Sequence, residues 1–323
     1  MKKVLIIKLG ALGDVVHTSI IAEAIKLKHP DWIVDFLTTT DCLPILENHP
    51  YIDESIVWEH SYNKTFKGFV EIAIKLFKKR YDYVFSPSKG TWASRISYII
   101  MPKKVVFRKK LGGLWVKDYF EMAKSIIPDL EMPDHLTLGV SKEASESIEA
   151  ELQNYAKPFF VIAPGRAVDN VRQGRLWNIN KWKELTAMLL QEYGGTVFVV
   201  GNDKERENHE TLTANNVVIK SGDYSLEETS ALLSKASMMI SGDTGPAHIA
   251  AAHGVKTLAL LGSTAPEQIK PHGKNGYYIS ADYDCLYCWK KHCDRLKEGE
   301  IYTPCMEALS AKTVMDKIKE IYN

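Results

Sequence analysis

The feature that most constrains the fold is a repeated alternation of short apolar runs with amphipathic segments. The segments between the runs, such as 14–28 and 66–80, carry apolar residues at three- and four-residue spacing, as helices do. The predicted strands are 4–10, 33–39, 81–87 and 104–108, then 159–165, 196–202, 216–222, 238–243 and 257–263. Nearly continuous apolar runs separated by helices indicate parallel strands that are buried on both faces.

The runs form two series, so we predict two doubly wound α/β domains. A chain of 323 residues is long for a single hydrophobic core. The predicted domains are 1–155 and 156–305, and a terminal helix is predicted at 306–323. Ligands of such sheets bind beyond the C-terminal ends of the strands. The residues that follow two of the predicted strands are therefore candidates for binding a ligand.

The first strand end reads IIKLGALGDVVHTS at residues 6–19. Gly10 and Gly13 are predicted to flank a tight turn, and Asp14 is predicted to open the next helix. The stretch is not G-x-G-x-x-G, so the dinucleotide-binding fingerprint is absent. Asp14 is either a helix cap or a carboxylate held at the ligand-binding end of the sheet. Lys8, a charge within an apolar strand, favours the second interpretation.

The second strand end reads MISGDTGPAHIAA at residues 239–251. Pro246 suits the first turn of a helix, which places Thr244 and Gly245 at its N-terminus. The free N–H groups there suit a phosphate or diphosphate, and His248 lies near enough to donate to the same anion. The alternative is a purely structural cap, in which Asp243 or Thr244 closes the helix.

Charge is distributed unevenly along a chain whose net charge is only +1. Residues 61–117 hold fourteen Lys and Arg against two acidic residues, a net charge of +12. This basic segment is either a solvated lysine-rich face or a surface for an anionic partner such as phosphorylated lipid or nucleic acid. No run approaches the length of about 20 apolar residues that spans a bilayer, and no cleavage site follows the N-terminus. We therefore expect a cytoplasmic protein.

Four of the five cysteines form a cluster with the spacing C-x2-C-x4-C-x11-C, and Cys42 stands alone. In a cytoplasmic chain such a cluster indicates structural zinc, because thiolates suit tetrahedral zinc. Disulfides and free thiols stay open as alternatives. The clustered residues are Cys285, Cys288, Cys293 and Cys305.

Several motifs in order along the chain resemble the family-9 glycosyltransferases, the ADP-heptose:lipopolysaccharide heptosyltransferases. The similar stretches are KLGALGDVVHT, APG at 163–165 followed by RLWNINKWKEL, VVGNDKE at 199–205, SGDTGPAHIAAA and the closing CMEALSAKTVMDKI. The resemblance implies a GT-B fold, in which two Rossmann-like domains face each other across a cleft and the terminal helix, 306–323, crosses back to the first domain. It also implies inverting transfer from a nucleotide-diphospho-sugar without a catalytic metal.

The resemblance also implies roles for individual residues. Asp14 matches the family's general base, and Arg175 is the nearest match to the family's basic residue before the tryptophan, with Arg166 and Arg172 as competitors. Either Asp203 or Glu205 would meet the donor sugar or ribose. The family's donor-binding block matches Asp243, Thr244, Gly245 and His248. The other predicted substrate-binding residues at the two strand ends are Lys8, Gly10, Gly13 and Pro246.

The reaction implied is transfer of heptose from ADP-heptose to Kdo-lipid A or heptosyl-Kdo-lipid A of the lipopolysaccharide inner core. No catalytic cofactor and no nucleic-acid partner are expected. The basic residues at 103–110, followed by LGGLW, would contact the inner leaflet of the inner membrane, which makes the protein peripheral. The alternatives are another GT-B enzyme with a different nucleotide-sugar and a non-catalytic nucleotide-sugar-binding protein.

Overall fold

The computed structural model describes residues 1–58, 65–87, 92–165, 173–290 and 292–323. Contacts between residues divide the chain into two compact units, Met1–Val140 and Ser141–Asn323. The border lies fifteen residues before the predicted one at 155/156, because the helix Lys142–Leu152 packs on the helix Leu226–Ser234 of the second unit.

The first unit is built on five parallel strands in the order β3-β2-β1-β4-β5. The strands are β1 Lys3–Ile7, β2 Ile33–Thr38, β3 Glu54–Val57, β4 Tyr83–Ser86 and β5 Lys104–Phe107. The helices are α1 Leu12–Thr18, α2 Ile20–Lys28, α3 Leu43–Leu46, α4 Phe66–Lys79, α5 Trp92–Ile99 and α6 Trp115–Lys124. The chain starts in the middle of the sheet, builds one half and then the other, as doubly wound folds do.

Helices cover both faces of this sheet. Since successive side chains along a strand point to opposite faces, both sets of side chains are then buried. Leu5 and Ile7 of β1 pack with apolar residues of α4 and α5 in one core cluster. Val4 and Ile6, the alternate residues, are equally buried. The helices α1 and α2 pack with α6, whereas α4 packs with α5. The predicted continuous apolar strand is therefore confirmed for β1.

The second unit repeats the plan with six parallel strands in the order β11-β10-β9-β6-β7-β8. The strands are β6 Phe159–Ala163, β7 Thr196–Val199, β8 Val217–Ile219, β9 Met238–Ser241, β10 Thr257–Leu260 and β11 Gly276–Ile279. The helices are α7 Lys142–Leu152, α8 Ile179–Tyr193, α9 Arg206–Glu210, α10 Leu226–Ser234, α11 Gly245–Ala252, α12 Pro266–Ile269, α13 Pro304–Glu307 and α14 Ala311–Tyr322.

The terminal helix α14 belongs to the second unit, where the sequence prediction had it cross to the first. It packs on α8, and Val314 and Ile318 are completely buried in the core of the second unit. The amphipathic pattern of α14 thus finds its apolar partner within the same unit. Among the residues that the structure describes, no helix is both long and apolar enough to span a membrane.

Candidate active site

The candidate residues follow the strands at which the strand order reverses. In the first unit, Lys8 and Asp14 follow β1, whose neighbours are β2 and β4. In the second unit, Arg175 follows β6, and Asp243 follows the adjacent β9. Each such point leaves a crevice at the C-terminal ends of the strands, which is where doubly wound sheets bind ligands. The fold therefore places each group of candidate residues at a binding position of its own unit.

Lys8 and Asp14 form an ion pair at the end of β1. Lys8 Nζ lies 2.7 Å from Asp14 Oδ2. The Lys8 side chain is only 10% exposed, whereas that of Asp14 is 23% exposed. The buried ammonium fixes the direction of the carboxylate, and water or a substrate hydroxyl still reaches the carboxylate.

Asp14 is not the cap of its helix. Ala11 occupies the N-cap position of α1, no side chain caps this end, and Asp14 lies within the first turn. Gly13 lies in that turn as well, so the tight turn is formed before it, at Gly10 with φ of +131°. Only glycine adopts that backbone region readily. The pairing with Lys8, rather than capping, accounts for the position of the Asp14 carboxylate.

Two further side chains, Tyr119 and Arg108, extend this site. Arg108 Nη1 donates to Tyr119 Oη over 3.0 Å, and its guanidinium lies 5.1 Å from the ring centres of Trp115 and of Tyr119. The Thr18 hydroxyl, on the neighbouring helix α1, donates to the main-chain oxygen of Asp14 over 2.6 Å. Burial, and then the charge of Asp14, raise the pKa of Tyr119, so its hydroxyl stays protonated. Packing of α6 on α1 brings these residues together, and the sequence analysis missed Tyr119.

The basic residues at 103–110 therefore separate into two groups. Arg108 is half-buried and stacked, whereas Lys104, Lys109 and Lys110 are exposed. Of the apolar residues in LGGLW, Leu111 is exposed, while Leu114 and Trp115 are half-buried. Only the exposed members are available to a large anionic partner.

In the second unit, α11 begins at Gly245 and its N-terminus faces the loop that follows β9. Thr244 is the N-cap residue, and Pro246 lies at the start of the helix as predicted. The Thr244 hydroxyl lies 3.2 Å from Ser241 Oγ and does not cap the helix. The N–H groups at this end, together with the helix dipole, favour an anion such as a diphosphate.

Arg175 and His248 both approach Asp243 at this helix end. Arg175 Nε lies 3.1 Å from Asp243 Oδ2, and His248 Nε2 lies 4.0 Å from Asp243 Oδ1. Asp243 is the buried partner, with 8% of its side chain exposed, against 26% for Arg175. A Cβ at Gly242 would lie 2.8 Å from the main-chain oxygen of Arg175, so glycine permits this close approach. The carboxylate thus holds a guanidinium that remains accessible beside the helix N-terminus.

The residues predicted to meet the sugar or ribose follow β7, the next strand along the sheet. Glu205 closes a capping box, because its Oε2 accepts from the main-chain N–H of Asn202 over 2.7 Å. Asp203 is exposed. The carboxylate of Glu205 therefore stabilises its own helical turn, whereas the carboxylate of Asp203 takes no part in this capping box. Arg166 and Arg172, the competitors of Arg175, lie outside the described residues.

The cysteine cluster lies apart from these residues, beyond β11. Burial raises the pKa of Cys305, and the nearby thiols of Cys285 and Cys293 raise it further. None of the five cysteines, all of which lie in the described part of the chain, forms a disulfide. The described residues contain no group of three or more His, Cys, Asp or Glu side chains placed to hold a metal ion. Structural zinc stays a prediction, with disulfides and free thiols as its alternatives.

Comparison with known proteins identifies the family. The model of glycosyltransferase family 9 (heptosyltransferase) matches residues 86–298, more than half of the chain. Lipopolysaccharide heptosyltransferase 2 of Escherichia coli K12 is 23% identical over 83% of this chain and 85% of its own length. Lipopolysaccharide heptosyltransferase 1 of Pseudomonas aeruginosa is 24% identical over 90% and 87%.

A solved structure shows that the fold is shared as well. The E. coli ADP-heptose lipopolysaccharide heptosyltransferase II superimposes with a TM-score of 0.78 and 18% identity, over 100% of this chain and 98% of that chain. The two parallel doubly wound sheets match the GT-B fold that the resemblance implied. The chain therefore belongs to glycosyltransferase family 9, the heptosyltransferase family, and is a glycosyltransferase of the GT-B fold.

Proposed function

We propose that this protein transfers heptose from ADP-heptose to the inner core of lipopolysaccharide, with inversion at the anomeric carbon. The observation that carries the proposal is the Lys8–Asp14 pair, which presents an oriented carboxylate at the strand end where the family's base is expected. The names of the relatives support the sugar and the class of acceptor. The acceptor is Kdo-lipid A or heptosyl-Kdo-lipid A.

On the acceptor side, Asp14 acts as general base. Its carboxylate takes the proton of the acceptor hydroxyl as that oxygen attacks the anomeric carbon. The new carbon–oxygen bond forms on the face opposite the leaving group, and the bond to the diphosphate oxygen breaks. The electron pair of that bond leaves with ADP, and the proton stays on Asp14. Lys8 keeps the carboxylate aligned during this step.

On the donor side, the N-terminus of α11 and Arg175 bind the diphosphate. Charge develops on the leaving diphosphate in the transition state, and fixed N–H donors and a guanidinium stabilise that charge. Asp243 holds the Arg175 side chain at 3.1 Å and so fixes the position of the guanidinium before the donor arrives. His248, in the first turn of α11, is a second donor to the same anion. No catalytic cofactor is part of this proposal.

The acceptor is a lipid, so the enzyme works as a peripheral protein on the cytoplasmic face of the inner membrane. A phosphorylated, Kdo-bearing lipid is polyanionic, and the segment 61–117 has a net charge of +12. Exposed lysines near such a surface gain about 1 kcal/mol each from anionic lipid. This opposite charge of segment and lipid supports a location at the inner membrane.

The test is turnover with a panel of ADP-, GDP- and UDP-sugars on a Kdo-lipid A acceptor and on its heptosylated form. We expect ADP-heptose to be used, and NMR of the product to show an anomeric configuration opposite to that of the donor. Preference for a different nucleotide-sugar would make the protein another GT-B transferase. Donor binding without turnover on either acceptor would make it a binding protein.

A further inference from the structure

Helix α4 carries apolar side chains on its outward face as well as on its inward face. Phe69, Ile72 and Leu76 are buried in the core of the first unit. Phe66, Ile74 and Phe77 lie outside this core and are 76%, 51% and 50% exposed. Positions separated by eight and eleven residues fall on one side of a helix, so these three form a stripe. A surface helix ordinarily has polar residues there.

Further exposed apolar side chains lie on and just after the neighbouring helix of the same unit. Helix α5 packs on α4, and Tyr98, Ile99 and Met101 at its C-terminal end are exposed. Eleven large apolar side chains are exposed in the described part of the chain, and seven of them lie between residues 66 and 111. Apolar surface gathered in this way marks a contact site. We call Phe66, Ile74, Phe77, Tyr98, Ile99 and Met101 the α4–α5 face.

Exposed lysines lie on α4 and in the segment that follows α5. Lys67 and Lys75 lie on α4 with side chains 77% and 54% exposed, and each has a carboxylate about 4 Å away. Lys78, Lys104 and Lys110 are exposed and form no ion pair with the described residues. The face therefore combines apolar side chains with unneutralised positive charge.

We propose that the α4–α5 face docks on an anionic lipid bilayer. This rests on the proposed function, since a lipid-anchored acceptor gives the enzyme a reason to sit at a membrane. Lysines suit a lipid surface because their long stems lie along apolar groups while the ammonium reaches the phosphates. Protein–protein interfaces, in contrast, are depleted in lysine and enriched in arginine. The composition of the face thus favours lipid over a protein partner or a second copy.

The test compares matched variants on two helices of the same unit. Phe77→Ser and Lys78→Glu change the α4–α5 face, and Leu27→Ser and Lys28→Glu change adjacent exposed residues on α2, which packs with α6. Binding is measured by co-sedimentation with vesicles of phosphatidylethanolamine and phosphatidylglycerol, and with vesicles of phosphatidylcholine alone. Neither donor nor acceptor is needed.

The full-length wild-type protein should bind the anionic vesicles, should not bind the neutral ones, and should be released by salt. Phe77→Ser and Lys78→Glu should each weaken binding by about five-fold or more, whereas the α2 variants should change it by less than about two-fold. Absence of wild-type binding, or equal effects of the α2 and α4 variants, would overturn the proposal. A wild-type dimer that Phe77→Ser converts to a monomer would also overturn it, in favour of a second copy.

A turnover assay separates this proposal from the proposed function. Phe77→Ser should keep wild-type turnover on a water-soluble acceptor that lacks acyl chains, and lose turnover on the same acceptor embedded in anionic vesicles. Equal loss on both acceptors would contradict docking through this face. Absence of transfer by the wild-type protein on both acceptors would refute the heptosyltransferase function and would leave the vesicle result to be judged alone.

Discussion

The Lys8–Asp14 pair predicts that Asp14→Asn lowers both stability and turnover more than Lys8→Met does. Lys8 is the more buried partner, 10% exposed against 23% for Asp14, and the two atoms are 2.7 Å apart. Asp14→Asn leaves a buried ammonium without its counter-charge, whereas Lys8→Met leaves a carboxylate that water reaches. Breaking a buried pair costs about 3–5 kcal/mol, and exposure reduces this. We expect Asp14→Asn to cost about 2–3 kcal/mol of unfolding free energy and Lys8→Met about 1 kcal/mol.

Turnover should follow the same order, for a different reason. Asp14→Asn removes the base and should lower kcat by at least ~100-fold, with ADP affinity unchanged. Lys8→Met retains the carboxylate and loses only its alignment, so kcat should fall by about ten-fold or less. The double variant removes both charges and should regain most of the stability lost in Asp14→Asn, but none of the turnover. Denaturant unfolding gives the stabilities, and initial rates at saturating donor give kcat.

Two results would refute this reasoning. If the double variant is as unstable as the sum of the single losses, Lys8 and Asp14 do not compensate each other. If Asp14→Asn turns over at a near-normal rate, its carboxylate is not the base, and the pair serves stability alone. Lys28→Met, an exposed lysine of the same unit, is the control for the lysine substitution and should leave both quantities unchanged.

Three further predictions concern other parts of the structure. Arg175→Ala and His248→Ala should each weaken ADP binding in calorimetry without changing the circular dichroism spectrum; unchanged affinity in both would exclude them from the diphosphate site. Arg108→Ala should lower the unfolding free energy by about 1–3 kcal/mol, because its stacking and its hydrogen bond to Tyr119 are lost, whereas the exposed Lys110→Ala should not. Cys288→Ser should lower the melting temperature and leave donor affinity intact, since a zinc site or a disulfide would stabilise an irregular segment. Metal analysis and thiol titration decide between the two, and five freely reactive thiols would contradict both.

The sequence predicted the central strands of both sheets but missed two strands, β3 and β11. Both lie at a sheet edge, where a strand has one hydrogen-bonded neighbour and is less covered. Glu54–Val57 begins with a charge, and Gly276–Ile279 begins with glycine and contains the exposed Tyr278. A strand that is buried on both faces needs a continuous apolar run, whereas an edge strand, which is less covered, does not.

At the site, the sequence indicated the strand ends but not the contacts between distant segments. Motif spacing placed Asp14 and Asp243 near the ends of β1 and β9, because strand, turn and helix are local. The stacking of Arg108 on Tyr119 depends on how α6 packs, which local pattern does not determine. The capping role of Glu205 could have been predicted from the sequence, since Asn202 and Glu205 have the N-x-x-E spacing of a capping box.

Each unit has an ion pair at its candidate site, and the buried partner is a cation in the first unit and a carboxylate in the second. Each presents an ion pair beyond a central strand, and in each pair the more buried partner orients the more exposed one. In the first unit the cation is buried and the carboxylate of Asp14 is reachable; in the second unit the carboxylate of Asp243 is buried and the guanidinium of Arg175 is reachable. A reachable carboxylate accepts a proton from a hydroxyl, whereas a reachable guanidinium binds a phosphate. The exposed partner of each pair thus determines the chemistry expected of its unit. That chemistry is activation of the acceptor in the first unit and binding of the diphosphate in the second.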